Sequence, residues 1–264
     1  MHDFNYQKAG SVADAVSALK AADDGKVMAG GMTLLPTMKQ RLAAPSDVID
    51  LGGISGLDGV SVSGGVTVGA MATHAAVAGS STVKGALSAL ANLAEGIGDP
   101  QVRNRGTIGG SVANNDPAAD YPAACLALGA TSKTDRREIS ADDFFQGLFE
   151  TALEEDEIIT SVSFPAAEKS AYVKFPNPAS RYALVGVFVA KKASGVRVAV
   201  TGAGDEGVFR ATAFEQALSS DFSASALDGV SVSADGLMSD IHASAEYRAH
   251  LITIMAKRAV AAAG

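Results

Sequence analysis

The sequence predicts an α+β fold, and three observations support this. The first 52 residues alternate short strand and helix patterns in a βαβαβ-like order. The second half contains alternating strand patterns at residues 182–191, 195–202 and from 209 onward, which are typical of an antiparallel meander. An amphipathic helix is predicted at residues 244–263. The predicted division is a domain at 1–165, with subdomains at 1–52 and 53–165, followed by a C-terminal domain of antiparallel sheet plus helices at 170–264.

The first subdomain begins with a helix at residues 11–22, which Ser11 can cap. A short strand at 26–29 leads into a glycine segment. A helical pattern interrupted by Pro36 follows at 33–42, and a strand at 48–51 ends the unit.

The second subdomain opens on a hairpin whose turn is Gly64-Gly65. Thr73 is placed to cap a helix that starts at His74. Further elements are predicted as helices at 83–94 and 118–128, a helical or irregular segment at 142–149, and a strand at 157–164 ended by Pro165. The heptapeptide Leu-Asp-Gly-Val-Ser-Val-Ser occurs at 57–63 and again at 227–233, and both copies are predicted to form a turn and a strand.

Composition limits the function. The net charge is −8 in 264 residues, and no basic patch typical of a nucleic-acid binder is visible. The single cysteine, Cys125, lies in an apolar run and is predicted to be buried. One cysteine cannot form a disulfide or hold a cysteine-ligated iron–sulfur cluster within the chain. No apolar run is long enough to span a bilayer, and the first residues do not resemble a signal peptide, so a cytoplasmic protein is expected.

Two glycine-rich segments point to a phosphate ligand. The first is Ala29-Gly30-Gly31-Met32-Thr33-Leu34, and the second contains Thr107-Ile108-Gly109-Gly110-Ser111. Glycine permits close backbone approach, and free N–H groups at a helix start bind phosphate. Two such loops could hold a diphosphate from both sides. Neither matches the Rossmann fingerprint or the P-loop.

Side chains near the loops add to this interpretation. Arg103 and Arg105 are the cations near the second loop, and Thr107 offers a hydroxyl donor. Asp120 is a candidate acceptor for ribose hydroxyls, although a carboxylate there could instead favour a helix N-terminus. No two histidines have metal-ligand spacing with a carboxylate, and His74 is expected to be structural.

The two glycine segments taken together resemble the flavin subunit of molybdenum-containing hydroxylases. The resemblance includes the stretch from Gly98 to Gly110 and the stretch Asp156-Glu157-Ile158-Ile159. It also includes Phe4-x-Tyr6 and the ending from Asp240 to Arg248, and so spans nearly the whole chain. The family is the medium subunit of the aerobic carbon monoxide dehydrogenase and xanthine dehydrogenase type. It belongs to the wider group typified by p-cresol methylhydroxylase, whose FAD-binding fold has two subdomains.

The resemblance implies a site for noncovalent FAD. Residues 29–33 and 107–111 would bind the diphosphate, and Asp120 would contact the ribose region. Tyr182 would lie near the isoalloxazine ring, with Ile159 and Lys174 in its neighbourhood. Met32, Thr33 and Ser111 differ from the residues frequent in the family, but Thr33 and Ser111 keep hydrogen-bonding capacity.

The resemblance also implies partners. The molybdenum cofactor would be held by a large subunit and two iron–sulfur clusters by a small subunit, in a dimer of heterotrimers. Electrons would pass through the clusters to FAD in this chain and then to an external acceptor. The alternatives are a self-sufficient FAD oxidase with its own substrate pocket, and a nucleotide-binding interaction module without a redox role.

Overall fold

The computed structural model describes residues 1–264 and arranges them around three larger β-sheets and one two-stranded sheet, with helices packed against them. The mixture of parallel and antiparallel sheets with helices confirms the α+β fold. None of the eleven α-helices combines the length and apolar composition needed to cross a bilayer.

The N-terminal unit is a three-stranded parallel sheet in the order β1-β3-β2. Its elements are β1 (Asn5–Lys8), α1 (Val12–Ala21), β2 (Gly25–Met28), α2 (Leu34–Lys39) and β3 (Asp47–Asp50). The predicted cap is present, because the Ser11 hydroxyl accepts a hydrogen bond from the Asp14 N–H at 3.1 Å. The predicted interruption at Pro36 was wrong. Pro36 lies in the first turn of α2, where its missing N–H has no helical partner to lose.

The second unit is a five-stranded antiparallel sheet in the order β4-β5-β10-β6-β7. Its strands are β4 (Val60–Val62), β5 (Gly65–Gly69), β6 (Thr131–Thr134), β7 (Glu138–Ser140) and β10 (Ile159–Pro165), with a separate hairpin of β8 (Phe145–Gly147) and β9 (Glu150–Thr151). The helices are α3 (His74–Gly79), α4 (Ser81–Ala86), α5 (Ser88–Glu95), α6 (Pro100–Arg103), α7 (Ile108–Asn114), α8 (Tyr121–Leu128) and α9 (Ala141–Phe144).

Two helix predictions in this unit differ from the structure. The helix predicted at 83–94 is two helices, because Leu87 has a non-helical backbone and is buried in the core. The helix predicted at 118–128 begins at Tyr121, and Asp120 occupies its N-cap position without making a side-chain cap hydrogen bond. The Thr73 cap is present, with its hydroxyl 3.2 Å from the Ala76 N–H.

The C-terminal unit is a four-stranded antiparallel sheet in the order β11-β12-β13-β14 with two helices. Its elements are β11 (Lys169–Pro176), β12 (Ala183–Lys192), β13 (Gly195–Gly204), β14 (Gly207–Arg210), α10 (Thr212–Ser220) and α11 (Ala245–Ala262). The sequence prediction continued the meander beyond residue 209 and missed α10. The prediction of a strand in the second copy of the repeated heptapeptide was also wrong. A short 3-10 helix ends at Leu227, and residues 228–233 join no sheet.

The largest hydrophobic core joins the second and third units. It contains Phe144 and Phe164 from the second unit together with Phe188, Ala190 and Ala199 from strands β12 and β13. Hydrogen bonds cross the same boundary and tie β13 to the segment before α8. The Thr201 hydroxyl donates to the Ala119 carbonyl at 2.6 Å, and the Gly202 N–H donates to the Pro117 carbonyl at 2.8 Å.

Candidate functional site

One large cavity lies between the N-terminal sheet and the second unit. Its volume is about 740 Å³, within the range of roughly 300–1,000 Å³ typical of small-molecule and cofactor sites. Thirteen of the fifteen predicted binding residues line it, and Ile108 and Lys174 do not. The thirteen are Ala29, Gly30, Gly31, Met32, Thr33, Leu34, Thr107, Gly109, Gly110, Ser111, Asp120, Ile159 and Tyr182.

The first glycine loop presents a row of unused donors. The backbone N–H groups of residues 29–34 make no hydrogen bond within the chain. Gly31 has a φ of 71°, and this left-handed residue changes the direction of the backbone beside the start of α2. Successive N–H groups in such a conformation form a concavity that binds anions. The first loop therefore has the geometry of an anion site.

The second glycine loop differs from the prediction. The N–H groups at the start of α7 are already used, because Ile108 donates to the Ala72 carbonyl at 3.1 Å and Gly109 to the Ala70 carbonyl at 2.9 Å. The Gly110 N–H donates to the Thr107 hydroxyl at 3.1 Å. Few free main-chain donors remain in this loop. The donors that it can still offer to a ligand include the hydroxyl groups of Thr107 and Ser111.

The glycines of the second loop serve different purposes. A Cβ on Gly109 would lie 2.5 Å from the Cβ of Ala70, so Gly109 permits α7 to pack closely against Ala70, the residue that follows β5. Gly110 is more open. A Cβ there would meet the Thr107 Oγ1 at 3.0 Å and the Cβ of Ala29 at 3.7 Å, in the gap between the two loops.

The charged side chains around the cavity are mostly acidic. The lining carboxylates are Asp116, Asp120, Glu154, Glu155 and Glu157, and the lining cations are Lys26 and Arg181. The two arginines noted in the sequence do not line the cavity. Arg103 instead donates to the carbonyls of Ile97 and Gly98 at 2.9 Å each. An anionic ligand would thus depend on main-chain donors, with Arg181 as a cation that the sequence analysis missed.

Asp120 is part of a buried polar network. Its carboxylate accepts from the Tyr172 hydroxyl and lies 3.0 Å from the Lys174 Nζ. Burial raises the pKa of Asp120, and the Lys174 charge and the hydrogen bonds from both partners oppose that change. The Lys174 Nζ also donates to the carbonyls of Gly96 at 2.9 Å and Arg181 at 3.0 Å. Lys174 therefore lies behind the cavity wall and joins three of its segments.

His74 lines the cavity as well as starting α3. Burial, together with the smaller effect of the Arg103 charge, lowers its pKa to about 4, so the ring is neutral at pH 7. Its Nδ1 atom is buried and has no hydrogen-bond partner, and its ring lies 5.4 Å from that of Tyr121. The sequence signal for His74 was its position after a capping threonine, which indicated a structural role only.

Two further lining residues gave no sequence signal of their own. Arg181 has a φ of 64° and stands beside Tyr182, immediately before β12. Phe149 has a φ of 57° and lies in the turn between β8 and β9. Both are brought to the cavity by hairpin turns whose position depends on tertiary packing.

Comparison with known proteins identifies the family. The FAD binding domain in molybdopterin dehydrogenase matches residues 2–167, well over half of the chain. The chain belongs to this family. Its cofactor is therefore FAD, and the residues that form the cavity walls lie largely within the matched segment.

Relatives extend over nearly the whole chain. It is 39% identical over 274 residues to the nicotine 6-hydroxylase medium subunit of Paenarthrobacter nicotinovorans, covering 98% of this chain and 96% of that protein. It is 34% identical over 277 residues to the carbon monoxide dehydrogenase medium chain of Hydrogenophaga pseudoflava, with the same coverage. A crystal structure of the cyanide-inactivated Cu,Mo-CO dehydrogenase superposes with a TM-score of 0.89 at 31% identity, covering 100% of this chain and 98% of that one. These matches confirm the family that the sequence resembles. They also confirm that the chain is a flavoprotein subunit of an oxidoreductase.

Proposed function

We propose that this chain is the FAD-carrying electron-transfer subunit of a molybdenum hydroxylase. The observation that carries the proposal is the row of unbonded N–H groups at residues 29–34, which faces a cavity of cofactor size in a chain of the FAD-binding family. A diphosphate is the part of FAD that such donors would hold.

The cavity residues would contact FAD in a defined order. The diphosphate would lie on residues 29–34, with the hydroxyls of Thr107 and Ser111 facing it across the gap that Gly110 leaves open. Asp120 would lie at the ribose region, and Ile159 and Tyr182 would contact the remainder of the cofactor. Lys174 would act by holding Asp120 and the Arg181 carbonyl in place.

The bound flavin would supply the redox chemistry, since it can exchange electrons with donors of one or two electrons. The chain would bind the cofactor, orient it and limit the access of water. The structure contains no group of three or more His, Cys, Asp or Glu residues arranged to hold a metal ion, and Cys125 is buried. The molybdenum cofactor and the iron–sulfur clusters would accordingly belong to a large and a small partner subunit, in a dimer of heterotrimers.

The assignment of domains along the chain is part of this proposal. Residues 1–165 would form the FAD-binding domain, in subdomains of about 1–52 and 53–165, and residues 170–264 would close over the ring. The assembly would work in the cytoplasm and deliver electrons to an external acceptor.

The deciding experiment is affinity purification of this chain from its natural source, with flavin, molybdenum and iron measured in the product. The proposal expects one noncovalent FAD per chain, released into the supernatant by acid, with molybdenum and iron in co-purifying subunits. Flavin retained in the acid pellet would contradict noncovalent binding. Absence of flavin would contradict the whole proposal. A single chain that reduces its own FAD with a substrate would instead support the self-sufficient oxidase.

A further inference from the structure

The turn between β8 and β9 carries an aromatic residue in an unfavourable conformation. Phe149 has a φ of 57°, a left-handed backbone that bulky residues rarely adopt. Its side chain is 60% exposed, yet it lines the cavity. A protein that needed only a turn here could use glycine or asparagine without this strain. Strained residues at the edge of a ligand site point to a role in that site.

Asn115 holds this turn in place. Its Nδ2 atom donates to the carbonyls of Gly147 and Glu150, at 2.8 Å each, and its own carbonyl accepts from the Phe149 N–H at 3.2 Å. Asn115 is buried and ends α7, the helix that starts at the second glycine loop. The turn is thus tied to the C-terminal end of α7, so Phe149 is held against the same helix that starts at the second glycine loop.

The Ala183 N–H, next to Tyr182, donates to the Ala118 carbonyl at 3.4 Å, so Tyr182 and Phe149 both lie beside the short segment that starts at Asn115. Asp116 follows Asn115 in the chain and lines the cavity. Burial raises the pKa of Tyr182, and the charges of Asp116 and Asp120, which line the same cavity, raise it further. Two half-exposed aromatic side chains on separate turns therefore lie beside one segment that contributes to the cavity wall.

We infer that Phe149 shields the ring of the bound flavin and limits which oxidants reach it. This inference rests on the proposed function. Dioxygen is the small oxidant that a shield would slow: it takes two electrons and two protons from the reduced flavin, yielding oxidised flavin and hydrogen peroxide. A shielded ring keeps its electrons for the intended acceptor, because closing a site excludes competing reactants.

The test uses the complete protein as purified with its partners. The main variant is Phe149→Gly, which removes the ring and suits the left-handed backbone, so its melting temperature is expected to equal or exceed that of the wild type. Phe149→Ala is the second variant. Leu148→Ala is the matched control, because Leu148 is an exposed neighbour in the same turn that does not line the cavity.

Two measurements report on the shield. Iodide quenching of flavin fluorescence measures access of a solute to the ring, and stopped-flow absorbance follows reoxidation of the photoreduced flavin by dioxygen. Both are expected to rise by about twofold or more in the Phe149 variants, since the ring loses a wall that excludes solvent, and to stay at the wild-type value in Leu148→Ala.

The possible outcomes distinguish failure of this inference from failure of the proposed function on which it rests. A wild-type protein without flavin would overturn the proposed function and this inference with it. Flavin at the wild-type level, with quenching and reoxidation unchanged in Phe149→Gly, would overturn the shield alone. A lowered melting temperature with unchanged quenching would likewise overturn it, and would assign Phe149 to packing.

Discussion

The α-carbon of Gly30 rests against the main-chain carbonyl of Arg105, so close that a Cβ on Gly30 would stand 1.9 Å from that oxygen. The two glycine segments, separated by about eighty residues in the sequence, are therefore in direct contact. This contact brings the N–H row of the first loop to the edge of the gap beside Gly110. It is the structural reason why the two segments act as one site.

Gly30→Ala should destabilise the protein and weaken FAD binding, because the loops must separate to admit the methyl group. Overpacking of this kind costs about 1–3 kcal/mol in the free energy of unfolding. Gly59→Ala is the control, since a Cβ on Gly59 would meet nothing within 4 Å. Urea unfolding of both variants measures the difference. Equal stabilities would show that the loops can move apart without cost.

Gly110→Val should abolish FAD binding and leave much of the fold intact. The left-handed region is not involved, because Gly110 lies within α7 and has a negative φ. The valine would instead fill the gap between Ala29 and Thr107 that the diphosphate is proposed to occupy. The matched variant is Gly85→Val, in helix α4, where a Cβ meets nothing within 4 Å. FAD titration and thermal melting are the measurements. Retention of wild-type FAD affinity by Gly110→Val would refute the placement of the diphosphate.

Some of this site was predictable and some was not. Glycine pairs and capping residues such as Ser11 and Thr73 act through local backbone geometry, so the sequence revealed them. The use of the Ile108 and Gly109 N–H groups was not visible, because their acceptors belong to residues about forty positions earlier. The same limit applies to the cavity as a whole, whose walls come from six separate parts of the chain.

Tertiary packing also overrode local preference in the fold. The heptapeptide that forms a strand at residues 60–62 has a strand partner there, whereas its second copy follows a 3-10 helix and has none. The break at Leu87 also depends on tertiary packing, since Leu87 leaves the helical conformation at a position where its side chain is buried in the core.

His74 should make the stability of the protein depend on pH. Its folded-state pKa, about 4, lies below the unfolded value of 6.5. The unfolded chain therefore takes up a proton first as the pH falls. Stability is full above pH 6.5 and is lost as the pH falls toward 4, by about 2 kcal/mol between pH 7 and pH 5. His74→Gln should flatten this part of the profile, and His242→Gln, at an exposed site, should not. A His74→Gln profile parallel to that of the wild type would contradict the assignment.

Tyr182 should tune the flavin more than it holds it. Aromatic stacking contributes about 0.5–1.5 kcal/mol beyond burial, so Tyr182→Ala should reduce FAD affinity by about tenfold at most while shifting the flavin spectrum or reduction potential. Tyr247→Ala is the control, because Tyr247 is similarly exposed but lies outside the cavity. An unchanged spectrum and potential with a lowered melting temperature would make Tyr182 an ordinary packing residue.

The core that Phe144, Phe164 and Phe188 share affects how the chain unfolds. The segment that matches the FAD-binding family ends at residue 167, before Phe188 and the strands that complete this core. Cleavage there would expose apolar surface on both fragments. The segment before α8 would also lose the hydrogen bonds that it accepts from Thr201 and Gly202. The end of the family match at residue 167 therefore marks where the matched segment stops, and it does not separate two units that unfold independently. We expect the two sides of residue 167 to melt in a single transition.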